Sequence, residues 1–374
     1  MKFKPLSDLC DLNMGQSPSS NSYNQESDGI PFFQGNADFG ELHPTVRYWC
    51  NQPTKIANAN DILISVRAPI GALNIATGKC CIGRGLAALT AKEGVSDTQY
   101  MFYALRSRVD ELNASGTGST FKAISKSILG NTQIPAPDVN KQQKISANLN
   151  KASELITLRK QQLKKLDLIV KSRFVEMFGD PVTNPMGWET KKLDAVCNGI
   201  GDGLHGTPKY NENGDYYFIN GSNLIDGKIV ITASTQKVDG DEYKKHGIML
   251  DHNTIFISIN GSLGKIAFYN GEKLVLGKSA CYCRLKPVIN KTFVFGVMNS
   301  EAFQKYIKGE ATASTINNVS LKTMREYPLI VPPLPFQNRF ADFVRQADKS
   351  KFEIQQGLEK LELQYNALMQ QYFG

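Results

Sequence analysis

No apolar run in the sequence approaches the ~18 residues that a membrane-spanning helix needs, which excludes a helical membrane span. Histidine is scarce: the four residues at 43, 205, 246 and 252 include no pair at metal-ligand spacing, and Cys281-Tyr282-Cys283 lacks a second pair, so no metal site is encoded. The seven cysteines are odd in number and irregularly spaced, and Cys281 and Cys283 sit in apolar surroundings. That usage fits a reducing compartment better than a disulfide framework. The start, Met1-Lys2-Phe3-Lys4-Pro5, is basic, but Asp8 and Asp11 stand where the apolar core of a signal peptide belongs. These absences point to a soluble, cytoplasmic protein. With 374 residues, 41% hydrophobic and 21% charged, the chain has enough apolar material for two or three folded domains.

Catalytic signatures are missing too. Gly201-Asp202-Gly203-Leu204-His205-Gly206, with Asp226 downstream, formally matches a dinucleotide fingerprint. No strand is legible ahead of it, and Thr207-Pro208 with the turn residues 211–214 forbids the helix that should follow. Gly271 to Gly277-Lys278-Ser279 has one residue too many for a Walker-type phosphate loop, and no Asn/Asp-Pro-Pro-aromatic motif of an amino-methyltransferase is found. Asp226 with Glu242-Tyr243-Lys244 mimics a nuclease carboxylate set but reads as a solvated loop. No catalytic residue and no cofactor of the chain's own is expected.

The net charge of +8 is unevenly placed. Residues 1–138 and 336–374 are each neutral, residues 179–335 carry +2, and residues 139–178 hold nine basic and three acidic residues, net +6. A basic segment of this kind suits a polyanion, an acidic partner protein, or a solvated helix face.

An internal repeat with a spacing near 190 residues organises the chain. Leu6 and Cys10 match Leu193 and Cys197, and Gly15-Gln16-Ser17-Pro18 resembles His205-Gly206-Thr207-Pro208. Phe32-Phe33-Gln34-Gly35-Asn36 resembles Phe218-Ile219-Asn220-Gly221-Ser222, Gly83-Arg84 matches Gly277-Lys278, and Ser119-Thr120-Phe121 matches Ser314-Thr315-Ile316. Pro137 and Gln142 match Pro332 and Gln337. Each repeat opens with a segment rich in Gly, Asn, Ser and Pro. Its short apolar runs, such as 62–66 and 254–259, read as a mostly β domain with helix near 97–112 and 291–307.

Each repeat closes with a long amphipathic helix. Ile145, Leu149, Ile156, Leu163, Leu166 and Val170 follow heptad spacing, as do Phe340, Phe343, Ile354, Leu358, Leu361, Tyr365 and Leu368. Pro137 and Pro335 serve as starts, and Gly179-Asp180-Pro181 ends the first helix. One apolar stripe on a lone helix would lie exposed, so each helix needs a partner, most simply the other in an antiparallel pair. The fold class expected is α+β, with domains at 1–138 and 181–335 and coiled-coil helices at 139–180 and 336–374.

Polar residues at turns of the β domains are candidates for reading base edges and holding phosphates. In the first domain these are Gln16, Ser17, Ser19, Ser20, Asn36, Arg47, Arg67, Arg84, Ser119 and Lys122. In the second they are His205, Thr207, Lys209, Asn223, Asn260, Lys278 and Ser314. Arg67 and Arg84 stand out beside glycines or at the ends of apolar runs. The competing reading of each is a solvated or backbone-capping turn residue.

The junctions bring a family into view. Ile134-Pro135-Ala136-Pro137 followed by Gln142, Pro332-Pro333-Leu334-Pro335 followed by Gln337, and Phe178-Gly179-Asp180-Pro181 leading to Asn184-Pro185-Met186-Gly187-Trp188-Glu189 join the two-fold repeat. Together they resemble the specificity subunit of a type I restriction–modification system over essentially the whole chain. The resemblance implies two target recognition domains, each reading one half of a gapped double-stranded DNA sequence. The helix pair would act as a ruler for the unread gap. It also implies partners: two modification subunits that bind S-adenosylmethionine and methylate adenine, and restriction subunits that use ATP and Mg to translocate and cleave. The specificity subunit itself would be non-catalytic. Alternatives are a stand-alone two-domain DNA-binding regulator, an enzyme with chemistry around Asp202 or His205, and a coiled-coil scaffold.

Overall fold

The structure, a computed structural model, describes residues 2–117, 122–311 and 317–374. It forms two compact units. One comprises Met1–Lys160 and Gln356–Gly374, the other Gln161–Gln355.

In the first unit a four-stranded antiparallel sheet runs in the order Cys10–Met14, Leu86–Ala91, Ile62–Ser65, Leu73–Ile75. Every residue of Ile62–Ser65 is buried. Such a run belongs to a strand covered on both faces, and alternate side chains go to opposite sides. Ile62 and Ile64 join the large core that includes Tyr100 and Leu105, while Leu63 joins a second core with Phe33 and Ile82. A five-stranded sheet carries Ile30–Phe33 and Cys80–Ile82 as a parallel pair.

The second unit repeats this plan. Its four-stranded sheet runs Cys197–Asp202, Ala280–Leu285, Thr254–Ser258, Ile266–Phe268. Ile255 and Ile257 face one core and Phe256 the other. Tyr216–Ile219 pairs in parallel with Leu274–Leu276, as Ile30–Phe33 does with Cys80–Ile82. All seven cysteines are free and buried. Burial pushes the Cys10 and Cys80 thiols up to about 12, which makes them poor nucleophiles.

The long helices span Val139–Phe178 and Leu334–Phe373. Asp138 caps the first, accepting the Lys141 N–H at 2.9 Å. Gly179 ends it at φ +75°, a conformation that suits glycine. The helices pair antiparallel. In the second unit Phe340 packs on Phe174 and Phe178, with ring centroids 5.4 and 5.7 Å apart, while Lys351 reaches Asp167 at 2.6 Å. In the first unit Lys160 meets Glu362 at 2.9 Å. Ile145, Leu149, Phe340 and Leu358 of the heptad series are buried; Ile156, Leu163, Leu166, Val170, Phe343, Ile354, Leu361, Tyr365 and Leu368 are half-buried. The helix ends sink into the domain cores: Ile145, Leu149 and Phe373 into one, Phe174, Phe178 and Phe340 into the other.

Three sequence expectations change. The helices expected over 97–112 and 291–307 are each broken in two, as Thr98–Arg106 with Val109–Ala114 and Lys291–Met298 with Glu301–Gly309. In the second pair Ser300 forces the break by capping the new start, accepting the Phe303 N–H at 3.3 Å. A strand, Cys197–Asp202, does lead into Gly203, but no helix follows. Strand register also shifts one repeat match. Met14 lies opposite Ala87 and Asp202 opposite Cys281, so Gly15 corresponds to Gly203 and Ser17 to His205. Both Gly15 and Gly203 are required where they stand, because a Cβ would fall 2.2 Å from the Gly83 carbonyl oxygen or 2.0 Å from that of Leu276.

Candidate nucleic-acid interface

In the second unit the loops at one end of the four-stranded sheet enclose a cleft of about 430 Å³. Asp202, His205, Asn260, Lys278, Asn318 and Ser320 give it polar walls, and Ile259, Val319 and Leu321 its apolar floor. Three of the predicted residues, His205, Asn260 and Lys278, therefore meet at one place. His205 Nε2 lies 2.6 Å from Asp202 Oδ2, which orients the exposed imidazole. Ser258 braces the loop beneath: its hydroxyl donates to the Ser262 carbonyl and accepts the Lys265 N–H at 2.9 Å. Asn318 and Ser320 are not among the sequence candidates, and Asp202 enters there only through the alternative enzyme reading. Asp202 is the last residue of a strand whose existence the Gly-rich sequence hides.

The first unit presents Arg67 and Arg84, both exposed, at the matching loop positions. Ser65 braces the Arg67 loop as Ser258 does its own, donating to the Pro69 carbonyl at 2.7 Å and accepting the Ala72 N–H at 2.9 Å. Ser17 accepts the Arg84 N–H at 3.3 Å. Lys122 is exposed beside them, its carbonyl accepting the Ala68 N–H.

Other candidates lie apart or are engaged in the fold. Arg47 is held by buried Asp38, whose carboxylate also accepts the Gln34 N–H at 2.7 Å. That hydrogen bond, with the negative charge, raises the Arg47 guanidinium further above its ordinary range. Asn223 plays the part of Asp38 in the second unit, accepting the Asn220 N–H at 3.0 Å and donating to the Val230 carbonyl at 3.0 Å. Gln16 is exposed, while its backbone bonds to Ile82 and Thr54. Ser19 and Ser20 are exposed around a short turn, and Asn36 is half-buried in another. Thr207 is exposed, and the Lys209 N–H donates to Glu242 at 3.3 Å. Ser119 and Ser314 lie outside the described residues. Among the described residues no group of three His, Cys, Asp or Glu could hold a metal ion, and no helix is long and apolar enough to cross a membrane.

A family model for the type I restriction modification DNA specificity domain matches this chain twice, over residues 1–168 and 185–363. The chain belongs to that family. The two matches fall one on each unit's β domain and reach into the long helices, so the internal repeat is a repeat of the specificity domain. A putative type I restriction enzyme specificity subunit, MjaX, from Methanocaldococcus jannaschii is 41% identical over 154 residues, 41% of this chain and 36% of that protein. The chain thus matches about a third of that relative's length. The MjaIX specificity subunit of the same organism is 24% identical over 91% of this chain and 85% of that protein. The crystal structure of a type I restriction-modification system S subunit from M. genitalium aligns with a TM-score of 0.64 at 16% identity, over 100% of this chain and 96% of that one. That likeness concerns the fold.

Proposed function

We propose that the chain is the specificity subunit of a type I restriction–modification system, recognising a bipartite, gapped DNA sequence for partner subunits. The observation that carries the reading is the duplicated specificity domain, each copy of which presents exposed cationic side chains, Arg67 and Arg84 in the first and Lys278 in the second, from equivalent loops. Two similar but unequal domains suit two unequal half-sites. Base readers need donors and acceptors on a rigid scaffold, and loops braced by Ser65 and Ser258 on a buried sheet supply that. The chain contributes recognition and leaves chemistry to its partners: modification subunits that use S-adenosylmethionine to methylate adenine, and restriction subunits that use ATP and Mg. The helix length would fix the gap between half-sites. A stand-alone regulator is not favoured by the family.

The deciding experiment is to express the chain with its modification subunit and map methylated adenines genome-wide. An asymmetric motif with an unread gap is expected. Methylation at a continuous short sequence, or none above that of the modification subunit alone, would refute the assignment.

A further inference from the structure

The two units hold their loops with the same backbone hydrogen bonds, and this places their loop side chains in correspondence. In the second unit the Gly261 N–H donates to Asn317, Val319 to Ile259, Ile259 to Ser279 and Leu204 to Leu276, at 2.9, 2.8, 3.0 and 2.8 Å. In the first unit Ala68 donates to Lys122, Ile124 to Val66, Val66 to Gly85 and Gln16 to Ile82, at 3.1, 3.0, 2.9 and 3.0 Å. Arg67 bridges Ala123 as Asn260 bridges Asn318. Arg67 therefore takes the place of Asn260, Arg84 that of Lys278, and Ser17 that of His205.

We infer that 67/260 and 84/278, flanked by 17/205, are homologous base-reading positions whose differing chemistry makes one half-site guanine-bearing and the other adenine-bearing. The inference rests on the specificity-subunit reading above. Arg67 and Arg84 are exposed and make no side-chain hydrogen bond or ion pair with a described residue, unlike Arg47, which Asp38 holds. A guanidinium fork matches guanine O6 and N7 in the major groove, and a carboxamide matches adenine N6 and N7. Asn260 lines the cleft with its carboxamide bonded to no described residue. Beside it, Lys278 supplies a point charge suited to phosphate or a single guanine bond. The half-site read by the first domain thus carries guanine at the step facing Arg67, and that read by the second carries adenine at the step facing Asn260.

Three single variants of the full chain, expressed with the modification subunit, test this by methylated-adenine mapping. R67N installs the second domain's side chain, and R84K keeps the charge but removes the fork. Each should lower methylation of the original motif about tenfold or more and relax a guanine in one half only. N260A should relax an adenine in the other half only. A motif lacking guanine in the half that R67N alters, or three variants that methylate the unchanged motif at wild-type level, would overturn the inference and leave the functional reading intact. If the wild-type chain directs no gapped motif, both fall. R84K retains charge and exposure at its site, so it reports even where R67N fails to fold.

Discussion

The side-chain carbonyl of Gln142 accepts the Asp97 backbone N–H at 3.0 Å, and Gln337 does the same for Asn290 at 2.8 Å. Both glutamines are almost completely buried. Their amide ends donate to Pro137 and Pro332, so each ties the start of a long helix to a domain helix that Asp97 or Asn290 caps. A long helix orients a domain only if its root is fixed, and these amides fix both roots.

Replacing Gln142 by Leu leaves the Asp97 N–H and the Val95 and Pro137 carbonyls without their partner in a closed site. An unmet buried polar group costs about 1–3 kcal/mol. Gln142→Leu should therefore destabilise the first unit by at least ~2 kcal/mol. Hydrogen exchange should show protection lost around residues 95–100 while residues 290–298 keep theirs; uniform protection would contradict the anchoring role.

Gly296 stands inside a helix, where alanine normally gains ~1 kcal/mol. Here an added Cβ would meet Phe174 Cδ2 at 2.7 Å and Phe340 Cε1 at 3.2 Å. Phe174 cannot yield, because Phe178, Phe293 and Phe340 pack around it. Overpacking costs about 1–3 kcal/mol, so Gly296→Ala should be destabilising despite the propensity gain. A denaturation midpoint above wild type would show that the aromatic cluster relaxes.

Much of this architecture was legible in the sequence because its signals are periodic or punctuating. Heptad spacing marked the seam from Ile145 to Val170, and Pro137 and Gly179 marked the ends of its helix. The repeat was readable because the same glycine and glutamine constraints act twice. The site was less legible. Arg47 and Arg67 are both candidates in sequence, and only folding reveals that buried Asp38 claims Arg47. The strand that places Asp202 in the cleft is hidden because Gly199 and Gly201 obscure its pattern. The match of Ser17 to His205 is hidden because Pro18 and Pro208 invite an alignment at an offset of 190, whereas the paired strands set it at 188.

Asp180 follows the glycine that ends the first long helix and accepts the Thr183 N–H at 3.0 Å and the Val182 N–H at 2.8 Å. These bonds hold its carboxyl below the ordinary 3.8. A lowered folded-state value means that the stabilisation is fully present above the unfolded value and fades as pH falls through the folded one. Asp180→Asn should therefore narrow its stability gap to wild type between neutral pH and about pH 3. Parallel denaturation curves at the two pH values check the sign; a gap that widens in acid would reverse it.

The contrast between Arg47 and Arg67 separates fold from recognition. Asp38 accepts the Arg47 Nε–H at 2.9 Å together with two backbone N–H groups, so Arg47→Ala disturbs the turn that follows Ile30–Phe33. Arg67 makes no side-chain bond to a described residue, and its loop is held by Ser65 instead. Arg47→Ala should lower the melting temperature and leave the methylated motif intact. Arg67→Ala should leave melting unchanged and relax the motif, because discrimination at one base depends on its guanidinium. Both variants are read by thermal unfolding and methylation mapping on the same preparations. The opposite assignment, a motif altered by Arg47→Ala with melting untouched, would move the reading surface from the 67/84 loops to the 34–47 turn.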